Sequence, residues 1–217
     1  MQVSLSRVHF PVTTLGPGQR LGIWFQGCSI RCPGCISADT WGPGHRRIEV
    51  EDLLEQLAPW WQQADGVTIS GGEPFDQFDA LRALLRGLRS RGPGDILVYS
   101  GHSLETLQAP LRHAAGLIDG LMSDPYLAAA GQTRALRGSD NQRLSLLTDL
   151  GRDRLAGLDR LHAPSDNVLD IMFDEDGSVW MAGIPRHNDL LRLRGMLRAQ
   201  GHYLQTSAHA PSGDDVE

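Results

Sequence analysis

A chain of 217 residues with 20 basic and 26 acidic side chains, a net charge of -6 and 41% hydrophobic residues has the size and balance of one globular domain with a substantial core. No window gathers arginine into a stripe that could neutralise a run of phosphates, and no apolar run approaches the roughly 18 residues of a membrane span, which argues against nucleic acid and membrane as partners. The N-terminus has no basic-then-apolar secretory signal, so the chain reads as cytoplasmic, and all 20 basic residues are Arg, so no lysine is present to form a Schiff base.

In chain order, Val3 to Phe10 and Arg20 to Gln26 are predicted strands joined by the turn-rich segment Pro11 to Gln19, a hairpin that delivers Cys28. Residues 27–45, rich in Gly, Pro and Cys and without an apolar period, read as a long loop, the kind that in compact domains carries function or is disordered. Val50, Leu53, Leu54, Leu57 and Trp61 keep helical spacing, and Gly66 to Ser70 then forms a short buried strand ending at Gly71-Gly72. A second helix carries Phe78, Leu81, Leu84, Leu85 and Leu88 on one face and stops near Gly92, after which Ile96 to Ser100 is a strand. Ser103 caps a helix to about His113, and Leu117 to Met122 is a further strand. Residues 124–143 show no period. A helix from about Leu150 to His162, a β pair of Val168 to Phe173 and Ser178 to Ala182, and a last helix from His187 to Ala199 complete a single domain over 1–204, with 205–217 a disordered tail.

Strand and helix alternating this often imply right-handed βα units around a largely parallel sheet, and such sheets bind ligands at the carboxyl ends of their strands. The loop after the first hairpin, the Gly71-Gly72 turn and the Ser100-Gly101 turn all follow strands, so all three are expected on one edge. Ser100 is a candidate to bond a ligand there, although a Ser-Gly pair also simply closes a strand. Trp60-Trp61 reads as core packing, and His102, His113, His162 and His187 as solvated imidazoles at loop or helix positions.

The chain's only three cysteines are Cys28, Cys32 and Cys35, spaced CxxxCxxC. An odd, tight set in a cytosolic chain indicates metal rather than disulfides. Three thiolates without a fourth leave two possibilities: zinc completed by a histidine, with His45 nearest, or a 4Fe-4S cluster with one iron open to exchange. Gly71-Gly72-Glu73-Pro74, taken alone, is an ordinary strand-to-helix turn.

Together these elements resemble the radical S-adenosylmethionine (SAM) superfamily, whose CxxxCxxC motif holds a 4Fe-4S cluster and whose GGEP segment receives the SAM amino group. Trp24-Phe25-Gln26-Gly27-Cys28, Cys32-Pro33-Gly34-Cys35, Thr40-Trp41 and Gly138-Ser139-Asp140-Asn141-Gln142-Arg143 narrow the resemblance to the activating proteins of anaerobic ribonucleotide reductases. Gly34 stands where most of the superfamily has an aromatic residue, Asp124-Pro125-Tyr126 departs from that group's Asp-Gly-x-Phe, and Asp170 to Pro185 is similar to a loose set of small single-cluster relatives.

The resemblance implies a mixed α/β fold, a partial (β/α)6 barrel with mostly parallel strands. It implies Cys28, Cys32 and Cys35 as cluster ligands, Gly34, Gly71, Gly72, Glu73, Pro74 and Ser100 as the SAM site, and Asp124, Asn141 and Arg143 facing the substrate. The implied chemistry is one-electron cleavage of SAM to methionine and a 5'-deoxyadenosyl radical, fed by an external donor such as flavodoxin or ferredoxin. The radical then abstracts hydrogen, foremost from a glycine of a partner enzyme (a glycyl radical enzyme). A peptide or small metabolite is the alternative substrate, and a non-catalytic iron-sulfur or zinc sensing module is a third class.

Overall fold

The computed structural model describes residues 1–44, 47–92, 94–173, 179–186 and 188–203. Strands β1 (Gln2–Val12) and β2 (Arg20–Phe25) form the opening antiparallel hairpin, and β3 (Arg47–Glu49) returns to pair antiparallel with the start of β1. Strand and helix then alternate through α1 (Val50–Trp61), β4 (Gly66–Gly71), α2 (Phe78–Arg91), β5 (Asp95–Tyr99), α3 (Leu104–His113) and β6 (Gly120–Ser123). After β7 (Arg143–Leu146) and α4 (Asp149–Leu155), a separate two-stranded sheet of β8 (Asp170–Phe173) and β9 (Val179–Ala182) precedes α5 (Asp189–Ala199).

The large sheet runs β3-β1-β2-β4-β5-β6-β7. Strands β2, β4, β5 and β6 are parallel, while β1, β3 and β7 pair antiparallel. This is a mixed α/β fold with a parallel centre. Where six βα repeats are expected, the described residues hold four parallel strands, because the chain turns back on itself at both edges.

The helices form where their apolar stripes find this sheet. Val50, Leu53, Leu54, Leu57 and Trp61 are the buried residues of α1, and Ala80, Leu81, Leu84, Leu85 and Leu88 those of α2. Arg89 and Arg91 fall in the last turn of α2, where positive charge suits the helix dipole. Ser103 caps α3, its hydroxyl accepting the Thr106 N–H. Leu21, Ile23 and Phe25 of β2, Val67 and Ile69 of β4, and Ile96 and Val98 of β5 meet these stripes in one core. The intervening Trp24 joins a second cluster with Val12, Leu15 and Ala182 instead. There the rings of Trp24 and Trp180 meet edge-on at 4.4 Å, so β8 and β9 cover part of the sheet away from the helices.

Three expected boundaries move. The strand expected from Leu117 starts at Gly120. The helix expected over 150–162 ends at Leu155 and relaxes into a 3-10 turn, because only Gly151 and Leu155 reach the core and Gly157 weakens any extension. The last helix begins at Asp189; His187, residues 174–178, His45 and the expected tail at 205–217 lie outside the described residues.

The end of the sheet opposite the cysteine loop is closed by a buried ion pair. Arg20 and Asp95 are both fully buried, with Nη2 2.7 Å from Oδ1, and Arg20 also donates to Thr68 Oγ1 at 2.6 Å and to the Val67 carbonyl at 2.7 Å. Arg20→Ala leaves the buried Asp95 with only Arg154, whose Nε lies 3.8 Å from Oδ2, as a charge partner. We expect a loss of about 3–5 kcal/mol in urea unfolding; a loss below about 1 kcal/mol would show that the site relaxes or admits water.

Candidate functional site

Strand β2 and its parallel neighbour β4 end together, Phe25 in register with Gly71. Beyond that pair the two chains touch: Gly72 donates to the Phe25 carbonyl and Glu73 to the Gly27 carbonyl, each at 2.8 Å. Only glycine permits this approach. A Cβ on Gly71, whose φ is +105°, would lie 2.4 Å from the Phe25 backbone, and one on Gly72 2.0 Å from the Gly27 oxygen. Gly72→Ala therefore wedges the turn off the cysteine loop, at a cost of about 1–3 kcal/mol readable as a lower urea midpoint. An unchanged midpoint would mean the loop yields freely.

The cysteine loop is held from several sides. Residues 38–41 strap its base, with Gly27 donating to the Thr40 carbonyl at 2.8 Å and Cys28 to the Trp41 carbonyl at 3.3 Å. Gln26 donates to the carbonyls of Asp39 and Gly42, at 3.1 and 3.0 Å. Asp76, just after the Gly-Gly-Glu-Pro turn, accepts both the N–H and the hydroxyl of Ser29, at 2.7 and 2.9 Å, and lies 3.5 Å from His102 Nε2. Inside the loop, Arg31 and Gly34 take left-handed φ values of 49° and 78°. A groove of about 490 Å³ lined by Ser4, Gln26, Gly44 and Asp76 borders the loop without including a cysteine.

All three thiols are free and half-buried. Burial pushes the Cys32 and Cys35 thiols up, and the neighbouring sulfurs raise them further, while N–H groups of Tyr126 at Cys32 and of Ser37 and Trp41 at Cys35 pull the other way. Among the described residues no three His, Cys, Asp or Glu side chains converge on a single metal ion. Three soft sulfur donors in one loop, met by N–H donors that favour their charged form, fit an iron-sulfur cluster, whose irons each take their own thiolate.

Beside this loop stands Glu73, fully buried at the start of a 3-10 turn that Pro74 opens. One carboxylate oxygen accepts the Phe75 N–H and the Ser100 hydroxyl, both at 2.9 Å, and the other accepts the Gly101 N–H at 2.8 Å. Burial raises its pKa against these bonds and the nearby His102. Ser100, expected to face a ligand, is turned to Glu73 and also accepts the His102 N–H at 3.1 Å. His102, expected to be a solvated imidazole, instead lies 3.5 Å from the Asp76 carboxylate.

Residues 124–143 form a wall along the same edge. Asp140 accepts the N–H groups of Thr133 and Arg134, at 2.7 and 3.2 Å, and Gln142 accepts that of Gly138 at 2.8 Å. A Cβ on Gly34 would lie 3.5 Å from the Tyr126 ring, so the wall reaches the cysteine loop. Asp124, with φ +84°, donates its N–H to the His102 carbonyl at 2.9 Å. Arg143 is engaged on both sides: it donates to Asp124 at 2.7 and 2.8 Å and to both oxygens of Glu105 at 2.8 Å, holding the Glu105 pKa down to about 2. Asn141 donates to the Pro125 carbonyl at 2.8 Å, leaving its buried Oδ1 without a partner.

Sequence alone does not mark Trp41, Asp76 or Tyr126 as site residues. Thr40-Trp41 is part of a sequence pattern and Asp76 closely follows the GGEP turn, but nothing local indicates that either one crosses to the cysteine loop.

The 4Fe-4S single cluster domain family matches residues 14–145. The chain is 28% identical over 143 residues to the anaerobic ribonucleoside-triphosphate reductase-activating protein of Escherichia coli (strain K12), covering 62% of this chain and 93% of that protein. It is 33% identical over 103 residues to the pyruvate formate-lyase-activating enzyme of Clostridium pasteurianum, covering 45% of this chain and 43% of that one. The crystal structure of QueE from Escherichia coli aligns over 48% of this chain and 54% of its own, with a TM-score of 0.41 and 22% identity.

Proposed function

The chain belongs to the 4Fe-4S single cluster domain family, and from that membership we propose that it is a radical SAM enzyme that installs a glycyl radical on a partner enzyme such as an anaerobic ribonucleotide reductase. The observation that carries this is the bonding of the Gly71-Gly72-Glu73 turn to the cysteine loop, which sets a three-thiol site and a buried carboxylate side by side. Likeness over 93% of an activating protein's length supports the partner class.

Cys28, Cys32 and Cys35 would hold the cluster and, being only three, would leave one iron open to SAM. Bound together, cluster and SAM supply a one-electron cleavage giving methionine and a hydrogen-abstracting 5'-deoxyadenosyl radical. The protein's part is to orient and enclose. Gly71, Gly72, Glu73 and Pro74 form the SAM cradle, with Gly34 on the cysteine side. Ser100 acts through Glu73, fixing its carboxylate. Asp124, Asn141 and Arg143 shape the substrate side as a wall, since Arg143 is already paired.

We read the four parallel strands with their antiparallel flanks as a reduced partial (β/α)6 barrel, and residues 1–204 as one core domain. Its open side suits a protein substrate that supplies the missing wall. A cytoplasmic, reducing setting suits three free thiols. No described helix is long and apolar enough to cross a membrane. The electron comes from an external donor such as flavodoxin or ferredoxin.

The family match ends at residue 145, before β8, β9 and α5. That leaves room for a different target, a peptide or small metabolite. The test is to incubate the reconstituted enzyme, SAM and reductant with an anaerobic ribonucleotide reductase and record electron paramagnetic resonance. A glycine-centred doublet is expected; SAM cleavage without that doublet would move the assignment to the second substrate class.

A further inference from the structure

Trp41 touches the cysteine motif at both ends. Its carbonyl accepts the Cys28 N–H at 3.3 Å, and its own N–H is fixed by the Ala38 carbonyl at 3.1 Å, at the close of the 3-10 turn Ala38–Thr40. The indole lies against the other end of the motif, with Nε1 turned toward the Cys35 sulfur. That nitrogen is fully buried and makes no complete hydrogen bond.

A buried donor without an acceptor is uncommon in folded proteins. Indole N–H can only donate and does not titrate in the physiological range, so nothing on its own side removes the mismatch. The acceptor in front of it is a sulfur, poor as a thiol and much better when it carries the negative charge of a metal-bound thiolate. The folded loop therefore presents a buried donor whose bond to Cys35 strengthens when that sulfur is a metal-bound thiolate.

Granting the reading of Cys35 as a cluster ligand, we infer that Trp41 is a positioning residue for the cluster, donating its indole N–H to the Cys35 thiolate and thereby raising the reduction potential. The direction follows from charge. Reduction adds one electron to a site already rich in negative sulfur, and a donor at one of those sulfurs stabilises the reduced form more than the oxidised one. The backbone bond to Cys28 does not depend on the side chain, so phenylalanine at this position keeps the strap and most of the ring while deleting the donor.

The test compares anaerobically reconstituted wild type with Trp41→Phe, without SAM, by iron and sulfide analysis and by potentiometric titration of the cluster. Trp41→Phe is expected to carry a full cluster whose reduction equilibrium is about tenfold less favourable, ~59 mV lower for a one-electron couple. An unchanged potential with a full cluster overturns the inference. Should the variant assemble no cluster, wild type labelled with 15N at its indoles decides by electron-nuclear double resonance on the reduced cluster: coupling to an indole nitrogen and its exchangeable proton supports the bond, and its absence overturns it. Wild type that itself assembles no four-iron cluster overturns the functional reading together with this one.

Discussion

Cys32→Ala is expected to abolish the visible absorption of the reconstituted protein and to leave little bound iron or sulfide. The thiol has no substitute, because the chain contains only three cysteines and all three lie in this loop. Loss of one ligand leaves two thiolates for four irons. The loop itself should survive the change. Its strap bonds, from Gly27 to Thr40 and from Cys28 to Trp41, are backbone bonds, as is the 3.0 Å bond from Cys35 N–H to the carbonyl of residue 32. The loop also lies outside the main apolar core. Unfolding should therefore change by less than about 1 kcal/mol, within the range of substitutions away from the core. Full iron and sulfide in the variant would remove Cys32 from the ligand set.

Glu73→Ala is expected to keep the cluster and lose SAM. The carboxylate is fully buried and accepts three hydrogen bonds, so its removal strands the Phe75 and Gly101 N–H groups and the Ser100 hydroxyl. If it also receives the positively charged SAM amino group, deleting that charged bond costs about 1.5–3 kcal/mol, roughly a 10- to 150-fold weaker affinity by equilibrium dialysis. Glu73→Gln separates the two effects, since the amide retains an acceptor but not the charge.

The same carboxylate sets a pH dependence. Burial raises the Glu73 pKa, and the cationic amino group prefers the ionised form. Affinity should thus be full above the raised pKa and fall as pH drops through it, beginning at a higher pH than an ordinary glutamate would give. In Glu73→Gln this dependence should vanish. Wild-type affinity in Glu73→Ala would reduce the Gly-Gly-Glu-Pro segment to a structural turn.

The parts of the fold legible in the sequence are those set by local periodicity. The stripes of α1 and α2 name their own buried faces, and the Ser103 cap locates α3. Strands β3 and β7 escape because each is a short edge whose existence depends on partners elsewhere: Gln2 to Ser4 for β3, and Gly120 to Ser123 for β7. Residues 124–143 have no period because their order comes from side chains bonding backbone, above all Asp140 and Gln142.

In the site, spacing made the three cysteines and the Gly-Gly-Glu-Pro turn visible. What spacing cannot convey is direction. Ser100 was expected to face a ligand but bonds Glu73, and Arg143 was expected to face substrate but is held by Asp124 and Glu105. Trp41, Asp76 and Tyr126 reach the cysteine loop from other segments, and those contacts exist only once the loops are packed.

These residues are proposed to assemble a SAM-cleaving cluster. The most direct test of that proposal is chromatography of 5'-deoxyadenosine after anaerobic reconstitution with iron and sulfide, reduction with dithionite and addition of SAM. 5'-Deoxyadenosine is expected, and it should disappear when Cys28, Cys32 or Cys35 is replaced by alanine. Product that persists without the cysteines, or a reconstituted chain that holds zinc in place of iron, would contradict it.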